Sequence, residues 1–191
     1  MRPRRVTDEQ IDKVAAAAFI QHGPTASLGS MAASLGITQP GLLHRVGCKE
    51  ALLIRALCPG IPHAVTLLQD GPLPGDLIDQ LEPALTGLLH FLNDALPSLS
   101  VLRFAGVDIS RILPRGPPPP QLAREAVADW IMRCGARIVR CQSPEIVADL
   151  LVGSLEARAM NRHLSGRPTS SDDDIIYVRG LVTALIREKS S

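Results

Sequence analysis

Residues 38–49 contain a run of side chains with the types and spacing needed to recognise another molecule. Its polar and small members are Thr38, Gln39, Pro40, Gly41, His44, Arg45 and Lys49. A glutamine amide and an imidazole can hydrogen-bond to base edges, whereas arginine and lysine bind phosphate oxygens. Small residues let the backbone approach a partner closely. The chemistry that these residues favour is recognition of duplex DNA through hydrogen bonds and charge.

Two short helices joined by a tight turn would present these side chains, and residues 27–49 have that pattern. Ser27 is a natural N-cap, and Gly36 follows the last apolar position of the first helix, where a left-handed conformation favours glycine. Thr38 can cap the second helix, and Pro40 lies early enough in it to remove no needed hydrogen bond. The pattern predicts a helix-turn-helix whose second helix reads DNA. An ordinary helical hairpin in an all-α core would have the same spacing.

Residues 7–57 resemble the N-terminal DNA-binding domain of the tetracycline-repressor (TetR) family of transcriptional regulators. The matching residues, in the family's order and spacing, are Gly23, Ser27, Met31, Ala32, Leu35, Gly36, Ile37, Thr38, Leu42, Lys49, Glu50, Leu52 and Leu53. The resemblance implies an all-α fold, with an N-terminal three-helix helix-turn-helix DNA-binding domain and a C-terminal helical ligand-binding and dimerisation domain. We place the first domain at residues 1–57 and the second at residues 58–191.

DNA contacts are expected from the reading helix and its surroundings. The expected contact residues are Arg4, Arg5, Ser27, Thr38, Gln39, Pro40, Gly41, His44, Arg45 and Lys49. Lys49 matches the family residue that approaches a phosphate at a helix N-terminus, which also favours an anion. The sequence departs from the family at Leu43, where the family has a phosphate-binding tyrosine, and at Val46, where it has phenylalanine. We expect Arg45 to supply a phosphate contact instead.

The charge distribution favours a DNA-facing N-terminal domain. Residues 1–57 contain seven Lys/Arg and four Asp/Glu, a balance of +3, whereas residues 58–191 contain thirteen and fifteen, a balance of −2. Arg4 and Arg5 precede the first helix on an arm that can reach a minor groove or phosphates. An arm without a role, and a solvated surface, would explain the same charges.

Composition predicts a globular protein with a real core, because 46% of residues are hydrophobic and 20% are charged. Aromatic residues make up only 3%, so aliphatic side chains must fill that core. No apolar run approaches the roughly 20 residues of a transmembrane helix, and no signal peptide opens the chain. We therefore expect a cytoplasmic protein with no membrane partner.

Further helices follow from local signals along the chain. Thr7 and Gln10 have capping-box spacing, and Gly23 ends the helix that they begin. A helix beginning at Lys49 is interrupted by the prolines of residues 59–62. Beyond it, the pattern predicts helices at residues 76–95, 98–113 and 121–141, with a stiff segment at residues 114–120.

The last two helices are predicted to form a homodimer interface. Their apolar positions are Val147, Leu151, Leu155, Ile175, Val178, Val182 and Leu185, with Ile146 and Leu150 on the same face of the first helix. The near-heptad spacing suits pairing with a symmetry copy as a four-helix bundle, although the same residues could complete the core of a single chain. The resemblance also implies a dimer, which would bind a roughly palindromic operator.

The resemblance further implies a small-molecule effector that binds in the C-terminal domain. Leu88, Phe91, Phe104 and Trp130 are candidate pocket residues, and core packing is the alternative role for each. Few polar groups accompany them, so we expect an apolar or mixed ligand.

Catalysis is not expected, because the five histidines are scattered and no catalytic or nucleotide-binding motif is present. Cys58 and His63 are too few for a closed zinc site, and we expect no metal and no cofactor. Cys134 and Cys141 are expected to share a helical face as structural thiols. Two alternatives to a ligand-responsive repressor remain: a helical interaction protein that has lost DNA binding, and a redox sensor that uses Cys48 at a helix N-terminus.

Overall fold

The computed structural model describes residues 6–109, 117–138, 143–168 and 170–187. Within these ranges the chain forms nine α-helices, which confirms the predicted all-α fold. They are α1 Asp8–His22, α2 Leu28–Ser34, α3 Gln39–Val46, α4 Lys49–Leu57, α5 His63–Gln69, α6 Leu77–Phe104, α7 Pro119–Cys134, α8 Pro144–Ser165 and α9 Ser171–Leu185. None of these helices has the length and apolarity needed to cross a membrane.

The chain divides into two compact units. One consists of residues 1–59 and 97–113, and the other of residues 60–96 and 114–191. The sequence placed a boundary between residues 57 and 58, close to the end of the first segment. It did not assign residues 97–113 to the first unit.

The first unit is built around α1, whose ends are set by local signals. Thr7 Oγ1 accepts a hydrogen bond from the Gln10 amide at 3.2 Å, and the Gln10 side chain accepts one from the Thr7 amide at 2.9 Å, which completes the predicted capping box. Gly23 ends the helix with a φ of +66°. The buried side chains of this unit are Ile11, Ala15, Phe19, Ala26, Met31, Ala32, Leu42, Val46, Leu52, Leu53, Leu57 and Leu102. The buried face of α1 consists of Ile11, Ala15 and Phe19, which recur at helical intervals.

The second unit packs α5, most of α6, and α7 to α9 around an aliphatic core with one buried tryptophan, Trp130. Asp76 accepts a hydrogen bond from the Asp79 amide at 2.9 Å and so caps the start of α6. Arg133 of α7 donates to the carbonyls of Leu68 and Gln69, which satisfies groups at the end of α5. The core and these helix ends fix the arrangement of the unit.

Two predicted helices, at residues 76–95 and 98–113, are one continuous helix as far as Phe104. Pro97 lies at their junction, and proline in a helix interior costs about 3 kcal/mol or more. Apolar burial continues on both sides of it, with Leu92 and Ala95 before and Leu102 after. We attribute the unbroken helix to this packing, which outweighs the local penalty of the proline.

The helix predicted for residues 121–141 begins earlier and ends earlier than expected. Pro119 is its first residue, because proline is tolerated in a first helical turn. Gly135, with a φ of +52°, ends α7 at Cys134. Cys134 is the last residue of α7. Its predicted partner on a shared helical face, Cys141, lies outside the described residues. Residues 114–116 of the predicted stiff segment and residues 110–113 of the helix predicted at residues 98–113 also lie outside them.

Candidate nucleic-acid interface

The turn between α2 and α3 has the geometry predicted for a helix-turn-helix. Gly36 has a φ of +68°, a left-handed conformation that suits glycine. The Ile37 amide donates to the Ala32 carbonyl at 3.0 Å, and the Gly36 amide donates to the Ala33 carbonyl at 3.0 Å. These two bonds form a Schellman motif, which satisfies carbonyls at the end of α2 and turns the chain into α3.

Capping and burial then fix the orientation of α3. Thr38 Oγ1 accepts a hydrogen bond from the Gly41 amide at 3.2 Å, as expected of an N-cap residue. Leu42 and Val46 are buried in the core of the unit. The opposite side of α3, with Pro40, Gly41 and His44, is therefore held at the surface.

The side chains predicted to read DNA are solvent-exposed. Thr38, Gln39, Pro40, Gly41, His44 and Arg45 are all exposed, and Lys49 is half-buried. Gln39 lies beside α2, where its Oε1 would come within 3.2 Å of a Cβ at Gly29. A side chain at position 29 would thus press on the Gln39 amide, so Gly29 helps to set the position of that amide.

Arg45 is engaged within its own unit. Its guanidinium donates to the Val6 carbonyl at 2.6 Å and forms an ion pair with the Asp8 carboxylate. The predicted role of Arg45 was a phosphate contact, which would require this guanidinium to leave Asp8 or to bridge both anions. Its position instead ties the C-terminal end of α3 to the start of α1.

Ser27 and Lys49 lie at helix N-termini of the same unit. Ser27 caps α2 by accepting a hydrogen bond from the Ser30 amide at 3.3 Å, and Lys49 is the first residue of α4. Cys48 is the N-cap of α4 and is exposed, with its Sγ 3.4 Å from the Ala51 amide. Amide groups at a helix N-terminus and a lysine together favour an anion such as a phosphate. Arg4 and Arg5 lie outside the described residues.

Two of the residues that depart from the TetR pattern are apolar. Val46 is buried among apolar side chains, and Leu43 is half-buried. Neither can hydrogen-bond to a phosphate. If this surface binds DNA, the phosphate contacts must come from other groups, of which Lys49 is the clearest.

The candidate pocket residues belong to two different units. Leu88 and Trp130 are 1% and 2% exposed, and both lie in the core of the second unit, against which Phe91 packs. Phe104 is 84% exposed at the end of α6, in the segment that belongs to the first unit. The aromatic and leucine pattern could not distinguish core positions from a ligand cavity, and for Leu88 and Trp130 the core alternative holds.

Most of the predicted dimer residues are buried within the chain itself. Val147, Leu151, Leu155, Val178 and Val182 are at most 4% exposed, Leu185 is half-buried and only Ile175 is exposed. The five buried residues cannot contact a second chain, because the core of the second unit already covers them. The large apolar side chains that α8 and α9 do expose are Ile146, Leu150, Met160, Leu164, Ile175 and Ile176.

One polar arrangement was missed by the sequence reading. Asp174 is fully buried, and both Arg158 and Arg162 bind its carboxylate. The sequence carried a signal, since Arg158 and Arg162 are four residues apart on one helix and so share a face. The sequence alone would assign Asp174, with Asp172 and Asp173, only to favourable negative charge at a helix start.

Solved structures of transcriptional regulators have the same fold over nearly the whole chain. A TetR-like transcriptional regulator from a Rhodococcus species is 24% identical with a TM-score of 0.60, over 96% of this chain and 97% of the other. SmeT, the repressor of the Stenotrophomonas maltophilia multidrug efflux pump SmeDEF, is 13% identical with a TM-score of 0.62, over 96% and 92%. The fatty acid degradation regulator FadR from Bacillus halodurans is 13% identical with a TM-score of 0.58, over 95% and 100%. No family model and no curated protein matches the sequence.

Proposed function

We propose that this chain, which has the fold of the TetR-family regulators, is a DNA-binding transcriptional regulator. The observation that carries the proposal is the α2–α3 motif. Its turn is closed by Gly36, its second helix is anchored by buried Leu42, and Gln39 and His44 of that helix are exposed. Such a helix fits the major groove, where side chains can reach base edges.

Base reading and phosphate binding fall to different residues in this proposal. Gln39 and His44 carry hydrogen-bonding groups on the exposed side of α3, so they read bases. Lys49 and the N-terminal amides of α4 bind a phosphate and set the register of α3 in the groove. Arg45 holds the start of α1 against α3 through Val6 and Asp8. The reading helix is thereby kept in a fixed position before DNA binds.

A homodimer would present two reading helices to a palindromic operator. The exposed apolar stripe of α8, formed by Ile146, Leu150, Met160 and Leu164, is the surface that we assign to this contact in place of the predicted seam. These residues follow the helical repeat, and a run of exposed large apolar side chains is typical of an interface. Ile176 of α9, which is 71% exposed, extends the available apolar surface.

The regulator is proposed to act as a repressor that a small molecule releases. SmeT is the repressor of a multidrug efflux pump and FadR is a regulator of fatty acid degradation, so repression occurs among proteins of this fold. A releasing ligand must bind more tightly to the conformation that does not fit DNA than to the conformation that does. The difference between these two binding free energies is the coupling free energy.

Salt dependence tests the DNA contact without knowledge of the operator. The logarithm of the binding constant of the purified protein for duplex DNA should fall linearly with the logarithm of the salt concentration. This follows because cationic groups that bind phosphates release counterions from the DNA. Lys49→Ala should weaken binding to all sequences and reduce the slope by about one. Lys13→Ala, which removes an exposed lysine of α1, is the matched control and should leave the slope unchanged. Equal slopes for the wild type and Lys49→Ala would refute the assigned phosphate contact.

Sedimentation tests the dimer surface. Leu150→Glu places a charge in the exposed stripe of α8 and should convert the protein to monomers. Leu67→Glu makes the same change at an exposed leucine of α5 and should leave the dimer intact. Retention of the dimer in Leu150→Glu, or its loss in both variants, would reject this surface.

A second function fits the same fold: a helical interaction protein that does not read DNA. The observation in its favour is that Arg45 is bound to Asp8 while Leu43 offers no hydrogen bond. This alternative predicts weak DNA binding with no site preference, whereas the regulator predicts a strong preference for one sequence.

A further inference from the structure

A cleft between the C-terminal half of α8 and the start of α9 contains an excess of arginine. Its volume is about 510 Å³, which is within the range of small-molecule sites. We call it the arginine cleft and define it by the polar residues that line it: Arg158, Asn161, Arg162, Arg167, Asp173 and Tyr177. None of these residues belongs to the DNA-binding surface or to the candidate pocket.

Buried Asp174 fixes two of the arginines. Its Oδ1 accepts a hydrogen bond from Arg158 Nε at 3.0 Å, and its Oδ2 accepts one from Arg162 Nη1 at 2.6 Å. Because Asp174 is fully buried, it holds both guanidinium groups in place from the side that faces the core. Groups held in this way lose little conformational freedom when a ligand binds.

The charges of the cleft are not balanced. One buried carboxylate serves two guanidinium groups, and Asp173 is the other carboxylate of the cleft. The bonds to Asp173 and Asp174 use Nε and Nη2 of Arg158 and Nη1 and Nη2 of Arg162, which leaves Nη1 of Arg158, Nε of Arg162 and the Arg167 guanidinium as further donors. These donors converge on one cleft, where an oxyanion would accept charge-assisted hydrogen bonds.

A flat apolar surface lies next to these donors. The Arg158 guanidinium stacks over the Tyr177 ring, 4.2 Å from its centroid, and the Tyr177 hydroxyl donates to the Ser154 carbonyl at 3.4 Å. The ring is therefore held in place, and Ala157 and Pro168 add apolar wall. A ligand with an oxyanion group beside a small flat body would match both parts of the cleft.

We propose that the arginine cleft binds a small organic anion through its carboxylate or phosphate group, with Arg158, Arg162, Arg167 and the Asn161 amide as the donors. The proposal does not depend on DNA binding, because it concerns binding within the second unit alone. It also concerns residues other than the candidate pocket residues that the sequence suggested.

The single tyrosine of the chain gives a direct assay. Full-length protein labelled with 3-fluorotyrosine will show one fluorine NMR signal for the folded state, and that signal comes from the cleft. Benzoate and inorganic phosphate are titrated separately, with ionic strength held constant by chloride. We expect a saturable shift with at least one of them. A shift with benzoate only assigns a carboxylate ligand, and a shift with phosphate only assigns a phosphate ligand.

Variants locate the binding. Arg167→Gln and Asn161→Ala change exposed residues and should each weaken the affinity about tenfold, the effect of losing one charge-assisted hydrogen bond. Arg103→Gln, at an exposed arginine of α6, is the matched control and should leave it unchanged. The absence of a saturable shift with either anion, or equal affinity in Arg167→Gln and the wild type, would overturn the proposal. If Arg167→Gln instead changes the dimer dissociation constant while neither anion binds, a second copy covers the cleft and the proposal is also wrong.

Discussion

Replacement of Asp174 by asparagine should destabilise the second unit strongly. Its carboxylate is fully buried and binds Arg158 and Arg162, whose side chains are only 24% and 13% exposed. An asparagine side chain would keep the volume but would leave two guanidinium groups without their anion. Removal of one partner from a buried ion pair costs about 3–5 kcal/mol. Because both arginines retain some contact with water, we expect the lower end of that range, about 3 kcal/mol.

For a chain of this length, 3 kcal/mol corresponds to a decrease in melting temperature of about 6–12 °C. Urea unfolding followed by fluorescence gives the free energy directly, because the only tryptophan, Trp130, lies in the core of the same unit. Asp172→Asn is the matched control, since it removes an exposed carboxylate from the first turn of α9. Its cost should not exceed about 1 kcal/mol, the usual value of a charge at a helix N-terminus.

The same variant should alter the pH dependence of stability. Burial alone would raise the pKa of Asp174, but the hydrogen bonds and charges of Arg162 and Arg158 outweigh it and lower the pKa below the ordinary value of 3.8. The unfolded chain therefore binds this proton more readily, so the stabilisation is complete above pH 3.8 and is lost as the pH falls below it. The difference between the wild type and Asp174→Asn should narrow from about pH 5 to about pH 3. A difference under about 0.5 kcal/mol at neutral pH, or one that is constant down to about pH 3, would refute this reasoning.

Two further predictions concern the first unit, and each has its own measurement. Gly36→Val should cost about 1–3 kcal/mol in thermal or urea unfolding, because a β-branched residue is strained at positive φ. Gly87→Ala, in the interior of α6 with open space around it, should instead stabilise by about 0.5–1 kcal/mol, and equal effects would contradict the argument. Asp8→Asn should release Arg45 and strengthen DNA binding at low salt, measured by anisotropy. The gain should vanish in the Asp8→Asn, Arg45→Gln double variant; if it persists, Arg45 is not its source.

The first unit was predictable because its helix ends are specified by short-range chemistry. Each capping residue acts within three or four residues of its own position, so the local sequence contains all the information that sets the helix ends. These residues are Thr7, Gln10, Ser27, Gly36 and Thr38. The structure places these caps where the spacing predicted them. Burial of Leu42 follows from the apolar i, i+4 pair that it forms with Val46, which determines the side of α3 that faces inwards.

The second unit was less predictable because its decisive interactions are long-range. A near-heptad pattern marks Val147, Leu151 and Val178 as apolar positions, but it does not say whether the same chain or a second one covers them. The sequence predicts separate helices at residues 76–95 and 98–113, because the packing that keeps α6 continuous through Pro97 is invisible in the local sequence. Asp174 was not recognised as a buried group because its partners lie 12 and 16 residues away on another helix.

Selection of DNA by the purified protein tests the central claim most directly. Wild-type protein and Gln39→Ala are incubated with sheared DNA from the source genome at about 150 mM salt, which suppresses non-specific binding, and the retained DNA is sequenced. We predict enrichment of one roughly palindromic sequence with half-sites about one helical turn apart, and an altered base preference for Gln39→Ala. Retention without any enriched sequence, or the same preference for both proteins, would contradict the account in which α3 reads DNA through Gln39.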